Sequence, residues 1–410
     1  MIARQVKPEE VKRTEELFSI SFDSPYDNPL SPEELYHQYS TAPKTLEQEH
    51  SLERFAAFED DNKTMMSCFI MQPFSVRFDG HYESMYSIGG VATLPQYRKR
   101  GGIRACFEKT LSYLYEKETA FSYLYPFSTA YYRKFGYELC CRRQHYSVAL
   151  SHIPAFSLTG SSYLVDYSTA NRAAEDIPRI YSAWQDKYNM MVRGTAYDFS
   201  FIGSANPYKD QVFTYVYRSA ENEPLAYMTF SDNTDPNCRQ LVCSRFFYIN
   251  AEGLQGLLAL AKGFASDYRQ ILFSLPMELS LEQTLPEWSM GAIGCTLYQN
   301  GMVRVIHVKK VLQNARYIGS GSVSIQIDDP FIPENNRTFQ VVFSNGVCRE
   351  INDFEGTADI SMPINVFSTF ITGGYDTDSI TDFSNVSVHA SMEEIRKVFY
   401  KKPVYITNSF

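Results

Sequence analysis

The sequence predicts two successive α/β regions followed by an α+β region. Three observations carry that expectation. From residue 1 to about 150, short apolar strands alternate with helices, and one strand enters its helix through a basic, glycine-rich turn. From about 151 to 290 the order strand, strand, helix, strand returns without that turn. From about 291 to 410, runs of strands precede helices, the rhythm of an α+β domain. A chain of 410 residues is too long for one ordinary core, so two or three domains are the prior.

In the first region, Ile2 to Val6 reads as a strand, and Pro8 to Phe22 as a helix with Pro at its start and Val11, Leu17, Phe18 and Ile20 as its apolar residues. Ser31-Pro32-Glu33-Glu34 has the N-cap chemistry of a second helix. Arg54 to Phe58, Met65 to Phe78 and Tyr82 to Thr93 are antiparallel strands joined by turns at Asp60-Asp61-Asn62 and Asp79-Gly80. Phe121 to Tyr125 is an apolar strand, and Ser128 to Tyr137 a short helix ended by Gly136. In the second region, Glu175 to Asn189 and Leu254 to Phe264 are helices; Val212 to Arg218, Leu225 to Ser231, Arg239 to Ile249 and Ile271 to Leu275 are strands. In the third, strands at Met302 to Val308, Ser322 to Asp328, Arg337 to Ser344, Val347 to Ile351 and Ala358 to Met362 lead to helices at Pro363 to Thr372 and Ser391 to Tyr400, with a short helix from Val311.

Bulk composition removes several function classes. A net charge of −9 argues against a general nucleic-acid binder. No apolar run approaches membrane-spanning length, and Met1 to Gln5 lacks signal-peptide features, so a cytoplasmic protein without a membrane partner is expected. The eight Cys form no CxxC pair, and the seven His have no metal-ligand spacing. Reduced, mostly buried thiols and no metal are therefore expected. Cys140-Cys141 reads as an adjacent pair on a strand, with side chains on opposite faces.

The stretch Val91 to Arg104 carries the chemistry. A strand, a turn holding Arg98, Lys99, Arg100, Gly101 and Gly102, and a helix from Ile103 and Arg104 place free backbone N–H groups and positive charge together. Glycine lets a ligand approach the backbone closely, and the ligand implied is a pyrophosphate. A basic turn that merely starts a helix has the same local pattern. After Ile249 the corresponding turn is Asn250-Ala251-Glu252-Gly253, with no Arg or Lys.

The spacing of Arg98 and Gly101 resembles the acetyl-CoA loop of the GNAT N-acetyltransferases. Ile103 departs from the small residue usual there, and Ile103-Arg104 resembles the enhanced intracellular survival (Eis) family. The segment Tyr131 to Tyr137 and the stretch Arg304 to Tyr317 resemble the same family. The resemblance implies an acetyl-CoA-binding catalytic domain at 1–150, a degenerate GNAT-like domain at 151–290, and a sterol-carrier-like domain at 291–410 whose tail reaches the active site. It implies that Val91, Ala92 and Thr93 lie beside the pantetheine and that Phe127 and Ser128 line the thioester end. It also implies a hexamer of two trimers.

Acetyl transfer needs a donor for the leaving thiolate and a base for the amine. The resemblance gives the first role to Tyr132, a phenol with an ordinary pKa of about 10. It gives the second to the C-terminal carboxylate, here on Phe410. Amines of cationic small molecules, aminoglycosides among them, and lysine side chains are the implied acceptors. Asp23, Tyr26 and Asp27 are candidates for the acceptor pocket by position alone. The competing expectation is a non-catalytic protein that senses CoA, or that carries an apolar ligand in its last domain.

Overall fold

The structure, a computed structural model, describes residues 1–22, 25–27, 29–34, 37, 52–233, 239–285, 287–288 and 290–408. The chain forms two compact units. One comprises Met1–Cys141, Asn300–Lys402 and the chain from Ile406 on; the other comprises Arg142–Gln299 and Pro403–Tyr405.

The strands of the first unit's N-terminal part are β1 (Ile2–Gln5), β2 (Glu53–Phe58), β3 (Met65–Phe78), β4 (His81–Thr93), β5 (Phe121–Leu124) and β6 (Glu138–Leu139). The second unit holds β7 (Arg142–Ala149), β8 (Ser161–Leu164), β9 (Val212–Arg218), β10 (Pro224–Asp232), β11 (Gln240–Tyr248), β12 (Gln270–Pro276) and β13 (Ile293–Gln299). The first unit resumes with β14 (Met302–Val305), β15 (Gly321–Asp328), β16 (Thr338–Ser344), β17 (Val347–Asp353), β18 (Ile360–Pro363) and β19 (Ser387–Val388).

The first sheet runs β1-β2-β3-β4-β5-β14-β6. β3 and β4 form a long hairpin whose turn residues Asp79 and Gly80 both have positive φ, as a tight two-residue turn requires. β5 lies parallel to β4, and β14 is antiparallel to both β5 and β6. All four residues of β14 are buried, which fits a strand covered on both faces. The helix Gly102–Glu116 lays Ile103, Cys106, Phe107, Leu111 and Leu114 into the core of this sheet at helical spacing. Each such side chain contributes roughly 1.5–3 kcal/mol of burial.

The second sheet repeats the plan. Its order from one edge is β8-β9-β10-β11-β12-β7-β13. β9, β10 and β11 are antiparallel neighbours, and β12 is parallel to β11, as β5 is to β4. The third sheet, β17-β16-β15-β18-β19, belongs to the first unit with the helices Val308–Asn314, Ile364–Thr372 and Met392–Val398.

Several elements differ from the sequence reading. Arg142–Ala149 is a strand of the second sheet, although it precedes residue 150, and Met302–Val305 is a strand of the first, although it follows residue 290. Periodicity shows that a segment is a strand but not which sheet takes it. The strand expected to Val308 stops at Val305, because His307 caps the next helix by accepting the Lys310 N–H at 3.2 Å. Cys140 and Cys141 are both buried but lie between β6 and β7 rather than within a strand. Cys68 and Cys106 are also buried, Cys295 is exposed, and no described Cys is in a disulfide. Ser31 and Glu34 form the expected reciprocal cap (3.2 and 2.8 Å). Among the described residues no helix is long and apolar enough to cross a membrane.

Candidate functional site

Two features of β4 open a site. β4 pairs with β5 only from Met85 to Ile88, although it runs on to Thr93. Past Ile88 the two strands part. A bulge at Gly90, where φ is +59°, shifts the register against β3 at the same point. Among the described residues no strand pairs with the β5-facing edge of Gly89–Thr93, an edge that suits another extended chain with amide groups.

The helix that follows starts open. Gly101 is its N-cap at φ +85°, and no side chain caps it. The first helical bond runs from Ala105 N–H to Gly101 C=O at 3.0 Å. The N–H groups of Gly102, Ile103 and Arg104 have no backbone partner among the described residues. A Cβ on Gly101 would meet nothing within 4 Å, so the space above the turn is open. A Cβ on Gly102 would collide with Ser67 Oγ, so that glycine lets the helix start press against β3. One glycine serves conformation and the other serves packing.

The parted strands and the open helix start border a cavity of about 730 Å³. Val91, Thr93, Arg98, Lys99, Gly101, Gly102, Ile103, Arg104 and Phe127 line it, as the sequence reading expects. Tyr132, buried behind Phe127 and Tyr131, does not line it, and neither do three of the residues expected along the donor. Ala92 alternates to the opposite face of β4 and is buried there. Arg100 turns away to Glu59 at 3.0 Å and stacks over Tyr97. Ser128 caps the short helix Thr129–Arg133, its Oγ accepting the Tyr131 N–H at 3.3 Å. Ser21, Phe22, Tyr97, Tyr131, Lys134 and Phe135 line the cavity without having been singled out as site residues. The basic pair Arg133-Lys134 beside Phe135 was the available signal for Lys134; the ring faces of the others depend on packing that the sequence does not display.

The far end of the cavity is aromatic. Phe127 is 73% exposed, and its ring lies 5.2 Å from Tyr131 and 5.3 Å from Tyr132. Tyr132 is buried against Phe107, Tyr131 and Tyr137. That burial pushes its phenol pKa well up, with Tyr131 and Tyr137 adding to the effect. Tyr131 is raised by burial too. Tyr137 donates or accepts a 2.7 Å bond with Ser122, which marks it as a packed residue. Among the described residues the Tyr132 hydroxyl makes no such bond.

Behind this segment stands a buried ion pair. Arg304 of β14 reaches Asp329 at 2.8 Å, with both side chains fully buried, and its Nε donates to the Phe135 carbonyl at 2.7 Å. The tail also comes near. Tyr125, just past β5, donates its hydroxyl to the carbonyl of Asn408, and Asn300 Nδ2 donates to the Ile406 carbonyl at 2.8 Å. Phe410 and Asp23 lie outside the described residues. Tyr26 is partly buried, Asp27 is exposed, and neither lines this cavity. Among the described residues no cluster of His, Cys, Asp or Glu has the geometry of a metal site.

Residues 3–140 match the acetyltransferase (GNAT) domain family, and residues 308–407 match the sterol carrier protein domain family. Among curated proteins, no sequence matches this one. The whole fold is shared with solved structures of low identity. A protein of unknown function from Enterococcus faecalis, described as a probable N-acyltransferase, has a TM-score of 0.83 at 18% identity, covering 100% of this chain and 99% of that one. A GCN5-related N-acetyltransferase from Anabaena variabilis has a TM-score of 0.80 at 15% identity, with 100% of both chains covered. Eis1 from Mycobacterium abscessus has a TM-score of 0.76 at 15% identity, again with 100% of both covered.

Proposed function

From the premise that this chain is a GNAT acyltransferase with an Eis-like fold, we propose that it moves an acetyl group from acetyl-CoA to the amine of a cationic small molecule or a lysine side chain. The observation that carries this reading is the uncapped, basic helix start beside the unpaired edge of β4. Pyrophosphate suits the three free N–H groups with Arg98, Lys99 and Arg104 around them. The pantetheine amides suit the edge of Val91 to Thr93, and Phe127 borders the thioester end. Acetyl-CoA supplies an activated acyl carbon on a thiol leaving group.

The chain's residues then manage protons. As the amine nitrogen bonds to the acyl carbon, the carbon–sulfur bond breaks, the sulfur gains negative charge and the nitrogen must lose a proton. Tyr132 donates its hydroxyl to that sulfur. Its raised pKa keeps it protonated at neutral pH, so its first contribution is a hydrogen bond to developing charge. The phenol proton passes to the thiolate of pKa about 8.5 only as Tyr132 regains a proton from the amide nitrogen formed by the attack, so CoA leaves as the neutral thiol and Tyr132 ends protonated. The terminal carboxylate of Phe410 orients the ammonium and accepts its proton, directly or through water. The bond from Tyr125 to Asn408, two residues before the end, supports that role.

The acidic balance of the chain, −9 overall, suits a cationic acceptor. We read residues 1–150, 151–290 and 291–410 as catalytic, degenerate and sterol-carrier-like modules that exchange strands at their joints, and the assembly as a hexamer. Sedimentation of the purified chain tests the assembly. Free-thiol release from acetyl-CoA with a panel of polyamines, aminoglycosides and lysine peptides tests the function. Turnover with at least one cationic amine is expected. Binding of acetyl-CoA with no thiol release above hydrolysis across the panel would favour a CoA sensor instead.

A further inference from the structure

We propose that Phe331 is a positioning residue for the acyl-donor site: its ring carries the Arg104 guanidinium and aims it at the donor's phosphates. The inference rests on the reading of the Arg98–Arg104 turn as a phosphate cradle. It assigns the sterol-carrier-like part of the chain a share in donor binding, separate from any role of the tail.

Two contacts hold Arg104. Its Nε donates to Glu108 one helical turn on, at 2.9 Å. Its guanidinium carbon lies 5.4 Å from the centroid of the Phe331 ring, within range of a cation–π contact. Its own side chain lines the cavity. With one nitrogen and one face held, the outer two nitrogens are presented together, the fork that suits a phosphate. A free arginine would lose that arrangement to rotamer freedom.

Phe331 is itself held without slack. Asp329 Oδ1 accepts the N–H groups of Phe331 at 3.0 Å and Ile332 at 3.2 Å. The same carboxylate takes the Arg304 guanidinium, and its other oxygen accepts Asn335 Nδ2 at 3.0 Å. The ring is buried, and its other neighbour is Phe135, 5.9 Å away. Phe135 stacks on Phe107 at 4.2 Å and lines the cavity. Phe331 thus stands between the phosphate-facing arginine and the aromatic cluster that holds Tyr132. An ordinary core phenylalanine needs neither the arginine nor the turn locked by Asp329.

The test uses the full chain and two acyl donors. S-acetylpantetheine keeps the thioester and lacks the phosphates, so Arg104 has nothing to hold there. Phe331→Leu should weaken CoA about two- to five-fold by calorimetry, the scale of an exposed cation–π contact. It should raise KM for acetyl-CoA by a similar factor and KM for S-acetylpantetheine by less. Phe331→Trp should restore CoA affinity, because the larger ring keeps the cation–π face. In a double-mutant cycle, Phe331→Leu should cost almost nothing once Arg104→Ala is present. Additive losses in that cycle, or equal KM changes with both donors, overturn the proposal and leave Phe331 a packing residue. Arg104→Ala with unchanged CoA affinity overturns the phosphate reading of Arg104, and this inference with it.

Discussion

The junction after β4 and the junction after β11 are built alike and end differently. Each joins a strand to a helix, and each strand runs parallel to its neighbour over a short stretch only, β4 with β5 and β11 with β12. After β4 the helix start is a left-handed glycine with no side-chain cap. After β11, Asn250 caps the helix Ala251–Lys262 by accepting the Gly253 N–H at 2.9 Å. Glu252 adds a negative charge in the first turn and accepts the Tyr217 hydroxyl at 3.0 Å. The Tyr248 carbonyl at the end of β11 is taken by the Trp184 indole. One fold plan therefore yields an open or a closed helix start, depending on whether the first-turn donors are left free. The chemistry lives in a few residues, and the sheet order does not decide it.

The largest effect expected on this comparison concerns Tyr132. The first sheet has Tyr132 after β5, whereas β12 is followed by Met277-Glu278-Leu279-Ser280, which offers no phenol. Tyr132→Phe keeps the ring and should retain folding and CoA binding while lowering turnover roughly 10²- to 10⁴-fold. Thiol-release kinetics check it; near-normal turnover would pass the role to Tyr131 or to water.

The first two sheets also take in strands from outside their own stretches of sequence, and β14, taken by the first, carries a buried charge. Arg304→Met leaves Asp329 buried without its partner and should cost about 3–5 kcal/mol in denaturant unfolding. Arg304→Met combined with Asp329→Asn should recover part of that loss.

Exchanging the two caps sharpens the contrast directly. Gly101→Asp puts a carboxylate at the open helix start and should weaken CoA roughly ten- to a hundred-fold by charge repulsion. Asn250→Ala removes the cap of the other helix. It should cost about 1 kcal/mol in stability and leave CoA affinity unchanged.

The smallest effect is a pH dependence seated near the borrowed strands. His307 follows β14 and His145 sits on β7, and burial holds both pKa values below the ordinary one. A folded-state value below the unfolded value of about 6.5 means that the unfolded chain takes up the proton first. Their contribution is therefore complete above about pH 6.5 and is lost as pH falls toward the folded-state values. His307 also loses its acceptor nitrogen on protonation, and with it the cap on Lys310 N–H. His307→Asn keeps a capping oxygen that does not titrate, so its melting temperature should fall less between pH 7 and pH 5 than that of the unaltered chain.

Much of this was legible in the sequence because it is local. Turn residues at Asp79-Gly80, the strand from Met65 to Phe78, and the Arg98–Arg104 turn each depend on neighbours in the chain. The polar helix start after Ile249, which Asn250 caps, was legible in the same way. What escaped depends on distant partners. Arg100 looks like its neighbours in the turn, yet Glu59 claims it. Strands β7, β13 and β14 cross between regions, since pairing partners leave no mark on a strand's own period. Arg304 is a lone cation within an apolar run, and its full burial is explained by Asp329 and the Phe135 carbonyl, both distant in sequence.

The central claim is that one strand–helix junction of the two is a CoA cradle. Isothermal titration of acetyl-CoA into the full chain, beside the Arg98→Ala, Gly101→Asp double variant, tests it most directly. The account predicts one site per chain, and no measurable binding by the double variant while its fold is retained. Two sites per chain, or a single site that survives in the double variant, would contradict it.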